Sequence, residues 1–355
     1  MCALFEALGY TVFFLLRFLT LIPKIEPFNE KNANKILLVR VDRIGDLILS
    51  TPAIRAVRSK YPGAEIHLLA TEYTKDIVAN NPNIDKVLIY QKDKIECDYD
   101  LAFALNPDLR HNYLAFKSGA KYRVGYFPSY GSFFMTHKLK NDRAERIRHE
   151  LESDLELVGV MGCKTEDKKL EISLSEAGEK YVDKYFEINF SKGDVIAVIH
   201  PGARQEYIRW GKDKFVEIAD KLMEMNIKVI FVGGREEEEL VTEIILQMHS
   251  KPHSALGLNL IQLISLIKRC SLFVGNSSGP MHIASALNIP VVAVFVGVPL
   301  DSCEVWGPWN SKHEILTKKL NCVDCHPSDC RSFECINSVS TRDVLAAVKR
   351  QLNRT

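Results

Sequence analysis

Short apolar runs alternate with amphipathic segments along most of the chain. Residues 35–41 are apolar and β-branched without a helical stripe, which predicts a buried strand. A turn over residues 42–46 follows, and residues 47–60 have helical spacing that ends before Pro62 and Gly63. This order predicts the first half of a βαβ unit.

The same alternation continues on both sides of a polar segment at residues 162–169, which follows a long amphipathic segment at residues 143–160. Further strands are predicted at residues 65–70, 86–90, 100–105, 195–200, 228–232, 272–274 and 291–296, and further helices at residues 72–80, 212–225, 236–248, 260–268 and 279–287. Strands that alternate with helices predict parallel sheets with helices on both faces.

A chain of 355 residues has room for two such series, because it is longer than the chains that usually fold around a single hydrophobic core. We predict an α/β protein with two Rossmann-like, doubly wound domains, residues 31–164 and residues 165–355, facing each other across a cleft. Ligands of open α/β sheets bind beyond the carboxyl ends of the strands, so the loops at those ends are the candidate sites.

Residues 1–30 form a separate apolar segment. Its densest apolar run, residues 12–16, is shorter than the roughly 20 residues that span a bilayer. The basic start and cleavage site of a signal peptide are not visible. Two interpretations stay open, a helix lying in the membrane interface and a helix packed on the protein's own surface.

Charge is balanced, with 46 Lys and Arg against 45 Asp and Glu, so no global field favours nucleic acid as a partner. Five of the nine cysteines are scattered singly, which favours a reducing, cytoplasmic compartment. The other four are Cys322, Cys325, Cys330 and Cys335. Four thiolates can close a structural zinc site, but only the first pair has the usual short spacing, so free or paired thiols are the alternative.

Two predicted loops of the second domain are candidates for anion binding. Residues 275–282 (GNSSGPMH) place small polar groups before a helix, which predicts a phosphate site at its N-terminus. Ordinary capping by Ser278 is the alternative. Residues 200–203 (HPGA) close another strand, and Arg204 and Arg209 follow as candidate ligands of a diphosphate.

In the first domain, Asp46 ends the turn that follows the first predicted strand. A carboxylate at the edge of the cleft is a candidate general base. The alternative is an N-cap aspartate, a common use of Asp at the start of a helix.

Taken together, these segments resemble glycosyltransferase family 9, the lipopolysaccharide heptosyltransferases. The resemblance rests on residues 39–52 (VRVDRIGDLILSTP), on residues 200–203 with Arg209 and Trp210, and on residues 275–282, in this order. It extends from about residue 35 to the C-terminal helix. It implies a GT-B fold, an inverting reaction that requires no catalytic metal or other cofactor, and a nucleotide-activated heptose donor, usually the ADP form.

The resemblance also implies roles for particular residues. Asp46 would deprotonate the acceptor hydroxyl in an acceptor-binding N-terminal domain, and the C-terminal domain would bind the nucleotide sugar. The implied donor-binding residues are Gly202, Ala203, Arg204, Arg209, Ser277, Ser278, Gly279, Pro280, Met281 and His282. Many members have Lys where this chain has Ile208 and Asp where it has Ser277, so Arg209 or Arg204 would replace the missing cation.

Basic side chains are candidates for acceptor binding. Arg43, Arg55 and Arg58 follow the first strand, and a second basic cluster lies within residues 138–148. Such charge would attract a phosphorylated glycolipid or oligosaccharide, and would favour a peripheral position at the inner face of the cytoplasmic membrane. The alternative is that these are solvated surface charges paired with nearby glutamates.

Two other enzyme classes fit less well. A dinucleotide fingerprint needs several glycines, whereas the turn at residues 41–46 has one. A P-loop needs Ser or Thr after Gly-Lys, whereas Gly211 and Lys212 are followed by Asp213. A transferase that uses a UDP or GDP sugar and a catalytically silent scaffold of the same fold stay open.

Overall fold

The computed structural model describes residues 33–143, 145–309, 312–318, 320, 322, 330 and 332–353. The chain divides into two compact units, Met1–Lys168 and Lys169–Thr355, called here the N-terminal and C-terminal units. The segment at residues 1–30 that we predict as an apolar helix lies outside the described residues.

Each unit is built on a six-stranded parallel sheet. The N-terminal sheet consists of β1 (Lys35–Val39), β2 (Glu65–Ala70), β3 (Lys86–Ile89), β4 (Leu101–Ala104), β5 (Tyr122–Phe127) and β6 (His137–Lys140). The C-terminal sheet consists of β7 (Ile196–His200), β8 (Lys228–Gly233), β9 (His253–Leu256), β10 (Leu272–Asn276), β11 (Val291–Val294) and β12 (His313–Leu316).

The two sheets have the same topology. Their spatial orders are β3-β2-β1-β4-β5-β6 and β12-β11-β10-β7-β8-β9. Counted from the first strand of each unit, both are the Rossmann order 3-2-1-4-5-6. The winding reverses between β1 and β4 in one unit and between β7 and β10 in the other, and these switch points are where open α/β sheets form their ligand crevices.

Helices cover the sheets, as the alternating pattern predicts. Those of the N-terminal unit are α1 (Ile44–Lys60), α2 (Leu109–Lys117) and α3 (Glu150–Gly159). Those of the C-terminal unit are α4 (Glu176–Asn189), α5 (Lys212–Glu224), α6 (Glu238–Gln247), α7 (Leu260–Lys268), α8 (Gly279–Ala286), α9 (Cys303–Trp306), α10 (Glu334–Asn337) and α11 (Thr341–Leu352). Single 3-10 turns occur at Lys75–Ile77, Ser132–Phe134, Glu206–Ile208, Arg235–Glu237 and Pro299–Asp301.

The central strands are buried on both faces. In β1, the four residues from Ile36 to Val39 are 0% exposed, which explains why the strand is a continuous apolar run and not an alternating one. Burying each such side chain contributes on the order of 1.5–3 kcal/mol to folding. The first strand of the unit is therefore a rigid base for the turn that follows it.

Helix α1 continues through Pro52, which has no N–H to donate to the carbonyl of Ile48. The hydroxyl of Thr51 donates to that carbonyl at 2.7 Å instead. One turn earlier, Ser50 Oγ donates to the carbonyl of Asp46 at 2.8 Å. Because a side chain replaces the lost donor, the helix reaches Lys60 as one element.

The helix predicted at residues 72–80 is wrong. Only Lys75–Ile77 is helical there, as a single 3-10 turn. The hydroxyl of Thr71 accepts a hydrogen bond from the N–H of Thr74 at 3.2 Å, and such local bonds compete with the helical ones. Pro82 then follows and prevents a longer helix.

Candidate active site

Asp46 is the third residue of helix α1, just beyond the carboxyl end of β1 at the switch point. Arg43 is the N-cap of this helix, and no side chain makes a capping bond there. The alternative that Asp46 is the N-cap is therefore wrong. The Asp46 side chain is 16% exposed, so part of the carboxyl group is accessible to a substrate.

Four carboxyl groups surround the fully buried guanidinium group of Arg40. Nη2 lies 3.1 Å from Glu150 Oε1, 3.5 Å from Asp154 Oδ2 and 3.8 Å from Asp46 Oδ1. Nη1 lies 3.5 Å from Asp42 Oδ2. One arginine is thus shared by the candidate base and three other acids, which we call the Arg40 cluster.

The Arg40 cluster separates the pKa values of its acids. Burial raises the pKa of Asp46 above its ordinary value, and the charge of Arg40 offsets only part of that effect. Burial also raises the pKa of Asp154 to about 7. Burial opposes the ionisation of Asp42 as well, but a hydrogen bond to His111 and the charge of Arg40 lower its pKa to about 2. A raised pKa makes Asp46 a better proton acceptor near neutral pH, as a general base requires.

A second ion network begins at Asp42. The ring of His111 lies between two carboxylates, with Nε2 at 3.1 Å from Asp42 Oδ2 and Nδ1 at 2.6 Å from Asp108 Oδ1. Within the described residues these three side chains are the only group with the spacing of metal ligands. Burial lowers the pKa of His111, but the two carboxylates raise it overall. Nε2 of His111 also accepts a hydrogen bond from the backbone N–H of Val41 at 3.2 Å, so both ring nitrogens are already engaged by groups of the protein.

The three arginines predicted to bind the acceptor lie in different places. Arg43 is exposed at the start of α1, close to Asp46. Arg55 and Arg58 lie about 14 Å and 18 Å beyond Asp46 along the helix axis, at about 1.5 Å per residue. Both donate to backbone carbonyls of their own unit, at 2.6 Å and 2.7 Å respectively. Only Arg43 is therefore brought close to the candidate base.

In the C-terminal unit, Asn276 joins the loops that follow β7 and β10. Its side-chain amide donates to the carbonyl of Pro201 at 2.8 Å, and its Oδ1 accepts from the backbone N–H of Trp210 at 3.0 Å. Arg209 Nε donates to the carbonyl of Ala203 at 2.8 Å. The predicted donor residues after β7 are therefore held in one fixed loop beside β10, whereas Arg204 is exposed.

Two glycines let these loops approach one another. A Cβ atom at Gly202 would lie 1.7 Å from Glu237 Oε1, and one at Gly275 would lie 2.6 Å from the carbonyl oxygen of His200. Neither distance is possible without movement. A side chain at position 202 would therefore have to displace the Glu237 carboxylate, and one at position 275 would meet the backbone of β7.

The N-terminus of α8 lies in the same region. Ser278 is its N-cap residue, but the side chain makes no capping bond to the helix, so ordinary capping does not explain this serine. Four of the predicted donor residues here are half-buried, namely Ser277, Ser278, Gly279 and Pro280, whereas Met281 and His282 are buried. The first N–H groups of a helix have no intrahelical partner and favour an anion.

The Ser278 side chain bonds to His200 instead. Ser278 Oγ lies 3.0 Å from His200 Nδ1, and His200 Nε2 lies 3.0 Å from Glu237 Oε2. Glu237 Oε2 also accepts from the N–H of Gly234 at 2.9 Å. Ser278 is among the residues predicted from the sequence, whereas His200 has no predicted role and Glu237, which comes from a separate loop, was not predicted.

Arg40, Glu150 and Asp154 were not predicted as site residues either. A signal was present, because Glu150 and Asp154 are four residues apart and lie on the buried face of α3 together with Leu151 and other apolar side chains. An acid within an apolar helical stripe needs a buried partner. Here that partner is Arg40.

Ile208, which stands where many family members have Lys, packs against an apolar cluster that contains Val296 and Val298. This position faces hydrophobic side chains and supplies no charge to a diphosphate. The adjacent Arg209 lies in the loop tied to Ala203. Arg209 is therefore the cation that the structure holds in place there.

The predicted cysteine site is described only in part, because Cys325 lies outside the described residues. Cys322 is exposed, Cys330 is half-buried and Cys335 is buried. Cys330 Sγ accepts from the N–H of Phe333 at 3.3 Å. A zinc site formed by all four thiolates stays a prediction.

Across the described part of the chain, no helix is both long enough and apolar enough to span a membrane.

Two Rossmann-like units with polar loops at both switch points define a two-domain α/β enzyme of the GT-B type. The model of glycosyltransferase family 9 (heptosyltransferase) matches residues 91–335. The chain belongs to this family and is a glycosyltransferase. The family, the fold class and the enzyme class expected from the sequence are thereby confirmed.

Known relatives agree with this assignment. The chain is 27% identical over 332 residues to lipopolysaccharide heptosyltransferase 3 of Escherichia coli K12, which covers 87% of this chain and 95% of the relative. A family 9 glycosyltransferase from Veillonella parvula has a TM-score of 0.77 and 23% identity, and the match covers 92% of this chain and 99% of the other. The ADP-heptose lipopolysaccharide heptosyltransferase II of E. coli has a TM-score of 0.75 and 20% identity, with 90% and 99% covered.

Proposed function

We propose that the protein transfers a heptose, with inversion, from ADP-heptose to a hydroxyl of a lipopolysaccharide core or related glycan. The names of its relatives support the sugar and the acceptor, and the name of one structural neighbour supports the ADP form of the donor. The observation that carries the chemistry is Asp46, a partly accessible carboxyl group with a raised pKa in contact with the buried Arg40.

In the proposed reaction, Asp46 accepts the proton of the acceptor hydroxyl. The acceptor oxygen forms a bond to the anomeric carbon, and the bond from that carbon to the diphosphate oxygen breaks. A single displacement inverts the configuration at this carbon. Arg40 stays charged throughout and limits how far the pKa of Asp46 rises, so that the base is ionised before the reaction.

The leaving diphosphate would be bound at the N-terminus of α8 and by Arg209. Arg209 uses only Nε for the carbonyl of Ala203, so its two Nη groups can bind an anion. Ser277, Ser278 and Gly279 bring backbone N–H groups to the same place. Fixed dipoles of this kind stabilise developing charge with little reorganisation, and the proposed reaction therefore has no step that requires a metal ion.

Arg43, which is exposed beside Asp46, would bind the acceptor. A phosphorylated glycolipid would be attracted by this cation and by the other basic residues of the N-terminal unit. We accordingly propose a cytoplasmic enzyme that works at the inner face of the membrane.

The first test is calorimetry of the purified protein with ADP, UDP and GDP, alongside the Asp46→Asn variant. We expect selective binding of ADP that the variant retains, because Asp46 has no part in the donor site. Selective binding of UDP or GDP would contradict the proposal that the donor is ADP-heptose. Absence of nucleotide binding would favour the alternative that the protein is a catalytically silent scaffold.

The second test is turnover of ADP-heptose with a lipopolysaccharide core acceptor. Asp46→Asn should lower kcat by about 10²–10⁴-fold, the usual contribution of a general base. Because the base must be ionised, activity should fall as the pH decreases through the pKa of Asp46, which lies above the ordinary value of about 3.9. A variant with unchanged kcat would refute the role of Asp46.

A further inference from the structure

Glu150 is the acid of the Arg40 cluster that lies closest to the arginine. Its Oε1 accepts a hydrogen bond from Arg40 Nη2 at 3.1 Å. Asp46 Oδ1 lies 3.8 Å from the same nitrogen, which is beyond hydrogen-bond distance. Nη2 of the shared guanidinium group therefore donates to Glu150 and not to the proposed base.

Other contacts fix both members of this pair. Arg40 Nη1 donates to the carbonyl of Leu105, just after β4, at 2.8 Å. Arg143 Nη2 donates to the same oxygen of Glu150 at 3.0 Å, and the central carbon of its guanidinium group lies 4.6 Å from the centre of the Tyr126 ring. Arg40 is 0% exposed and Glu150 is 4% exposed, so bulk water does not compete for their hydrogen bond.

We propose that Glu150 is a positioning residue for the reaction, which holds the Arg40 guanidinium group away from Asp46 and so keeps Asp46 a strong enough proton acceptor. This inference rests on the proposed function, in which Asp46 accepts the proton of the acceptor hydroxyl. Glu150 acts on that step through the position of Arg40 and through its own negative charge, because its carboxylate is buried against two arginines.

The charged groups around Asp46 have opposing effects. Burial raises the pKa of Asp46, Arg40 lowers it, Asp42 and Glu150 raise it, and Arg43 lowers it. A hydrogen bond donated by Arg40 would favour the ionised carboxylate and lower the pKa further. The bond between Arg40 and Glu150 prevents that contact, so Asp46 stays both ionisable and basic.

Asp154 is a second acid of the cluster that could set the pH dependence of the enzyme, because burial raises its pKa to about 7. Its Oδ2 lies 3.5 Å from Arg40 Nη2 and 2.6 Å from Ser50 Oγ. The side chain is fully buried, so we assign the proton transfer to Asp46. Asp154→Asn, which is neutral at every pH, separates the two acids and should retain the acidic limb of the pH profile.

The experiment measures kcat and kcat/KM for a lipopolysaccharide core acceptor, at saturating ADP-heptose, as a function of pH. The full-length wild type is compared with Glu150→Gln, and circular dichroism establishes that each protein is folded. Without the charge of Glu150, Arg40 pairs with Asp46 and the pKa of Asp46 falls. We expect the acidic limb of kcat/KM to move to lower pH by roughly one unit, a shift typical of a neighbouring charge. On the plateau, kcat should fall by up to about 10-fold, because Asp46 is then a weaker base.

Glu152→Gln is the matched control. It makes the same substitution on the same helix, at a side chain that is 35% exposed and pairs with Lys168, and it should leave the pH profile unchanged. Glu150→Asp keeps the charge but withdraws the carboxylate from Arg40. It should move the acidic limb in the same direction by a smaller amount, and it provides the test if Glu150→Gln does not fold.

A folded Glu150→Gln or Glu150→Asp variant with the wild-type pH profile would overturn the positioning role and leave the proposed function intact. A shift of the acidic limb to higher pH would do the same. Loss of that limb in Asp154→Asn would assign it to Asp154 and also overturn the inference. An unchanged kcat in Asp46→Asn would overturn the proposed role of the base, and this inference with it.

Discussion

Replacing Arg40 by Met should destabilise the N-terminal unit strongly at neutral pH. Arg40 is fully buried and lies 3.1 Å from Glu150 and 3.5 Å from Asp154. At an effective dielectric constant of about 20, the gross Coulomb energy of the Glu150 pair alone is about 5 kcal/mol. The net cost is smaller, because the acids that lose their cation will take up protons. Removing one partner of a buried ionic group typically costs about 3–5 kcal/mol, and we expect that range here.

The loss of stability caused by Arg40→Met should decrease as the pH falls. Without Arg40, the pKa values of the neighbouring acids in the folded protein rise above their unfolded values. An acid with a raised folded pKa stabilises the fold at low pH and loses that contribution as the pH rises. The free-energy difference between the Arg40→Met variant and the wild type should therefore be largest near pH 7 and shrink towards about pH 4.

Urea denaturation, monitored by circular dichroism at several pH values, measures both the loss in free energy of unfolding and its dependence on pH. Arg58→Met is the matched control, since it removes another arginine that pairs with an acid, Asp85, whose side chain is 47% exposed. A pair that exposed contributes at most about 1 kcal/mol. If Arg40→Met does not fold, Arg40→Lys keeps the charge and should lose less stability. Equal losses in Arg40→Met and Arg58→Met, or a loss that does not vary with pH, would refute the account of the Arg40 cluster.

Two further predictions concern the donor region. Gly202→Ala should destabilise the C-terminal unit by about 1–3 kcal/mol and weaken ADP binding, because its Cβ would displace Glu237. Gly63→Ala, with no atom within 4 Å of the new Cβ, should leave both thermal unfolding and ADP binding unchanged, and equal effects of the two would contradict this reasoning. Arg209→Met should weaken ADP binding by roughly 10- to 100-fold, the loss of about 1.5–3 kcal/mol expected for a charged hydrogen bond. Arg204→Met, at an exposed position, should cost less, and calorimetry that ranks the two arginines in the opposite order would show that Arg204 is the main diphosphate ligand.

The strands beside the switch points, β1, β4, β7 and β10, could be predicted from sequence because both of their faces are buried, which produces largely apolar runs. The end of β10 shows the limit of that signal. The predicted strand covered residues 272–274, whereas the strand continues to Asn276. Asn276 is polar yet fully buried, because its amide is satisfied by Pro201 and Trp210, two residues of the loop after β7 that lies far away in sequence.

Edge and surface elements gave weaker patterns. Strand β6 (His137–Lys140) has half-buried positions alternating with exposed ones, and its sequence, HKLK, contains a single aliphatic residue. Helix α4 (Glu176–Asn189) buries only three of its residues. Neither was predicted, because few of their side chains contribute to a core that would impose a pattern.

The candidate site likewise contains residues that could be predicted from sequence and residues that could not. Asp46 and the loop at residues 275–282 could be proposed from sequence, since each follows a strand directly and has residue types suited to the chemistry. Glu237 and Asp154 could not be assigned, because their functions depend on His200 and Arg40, which lie far away in sequence. The pKa of Asp46 likewise depends on burial by residues from other elements.

The two hydrogen bonds made by the side chain of Asn276 bear on the entropy of ligand binding. Fixing the backbone of one residue costs roughly 1–2 kcal/mol, and here the loop from Pro201 to Trp210 is already held at both of these residues when the chain folds. A donor that binds to them does not bear that ordering cost, so more of its contact energy appears as affinity. The backbone N–H of Trp210, held by Asn276 at 3.0 Å, is consequently a reporter of local opening, and its rate of hydrogen exchange in the ligand-free protein measures how rarely this loop is released.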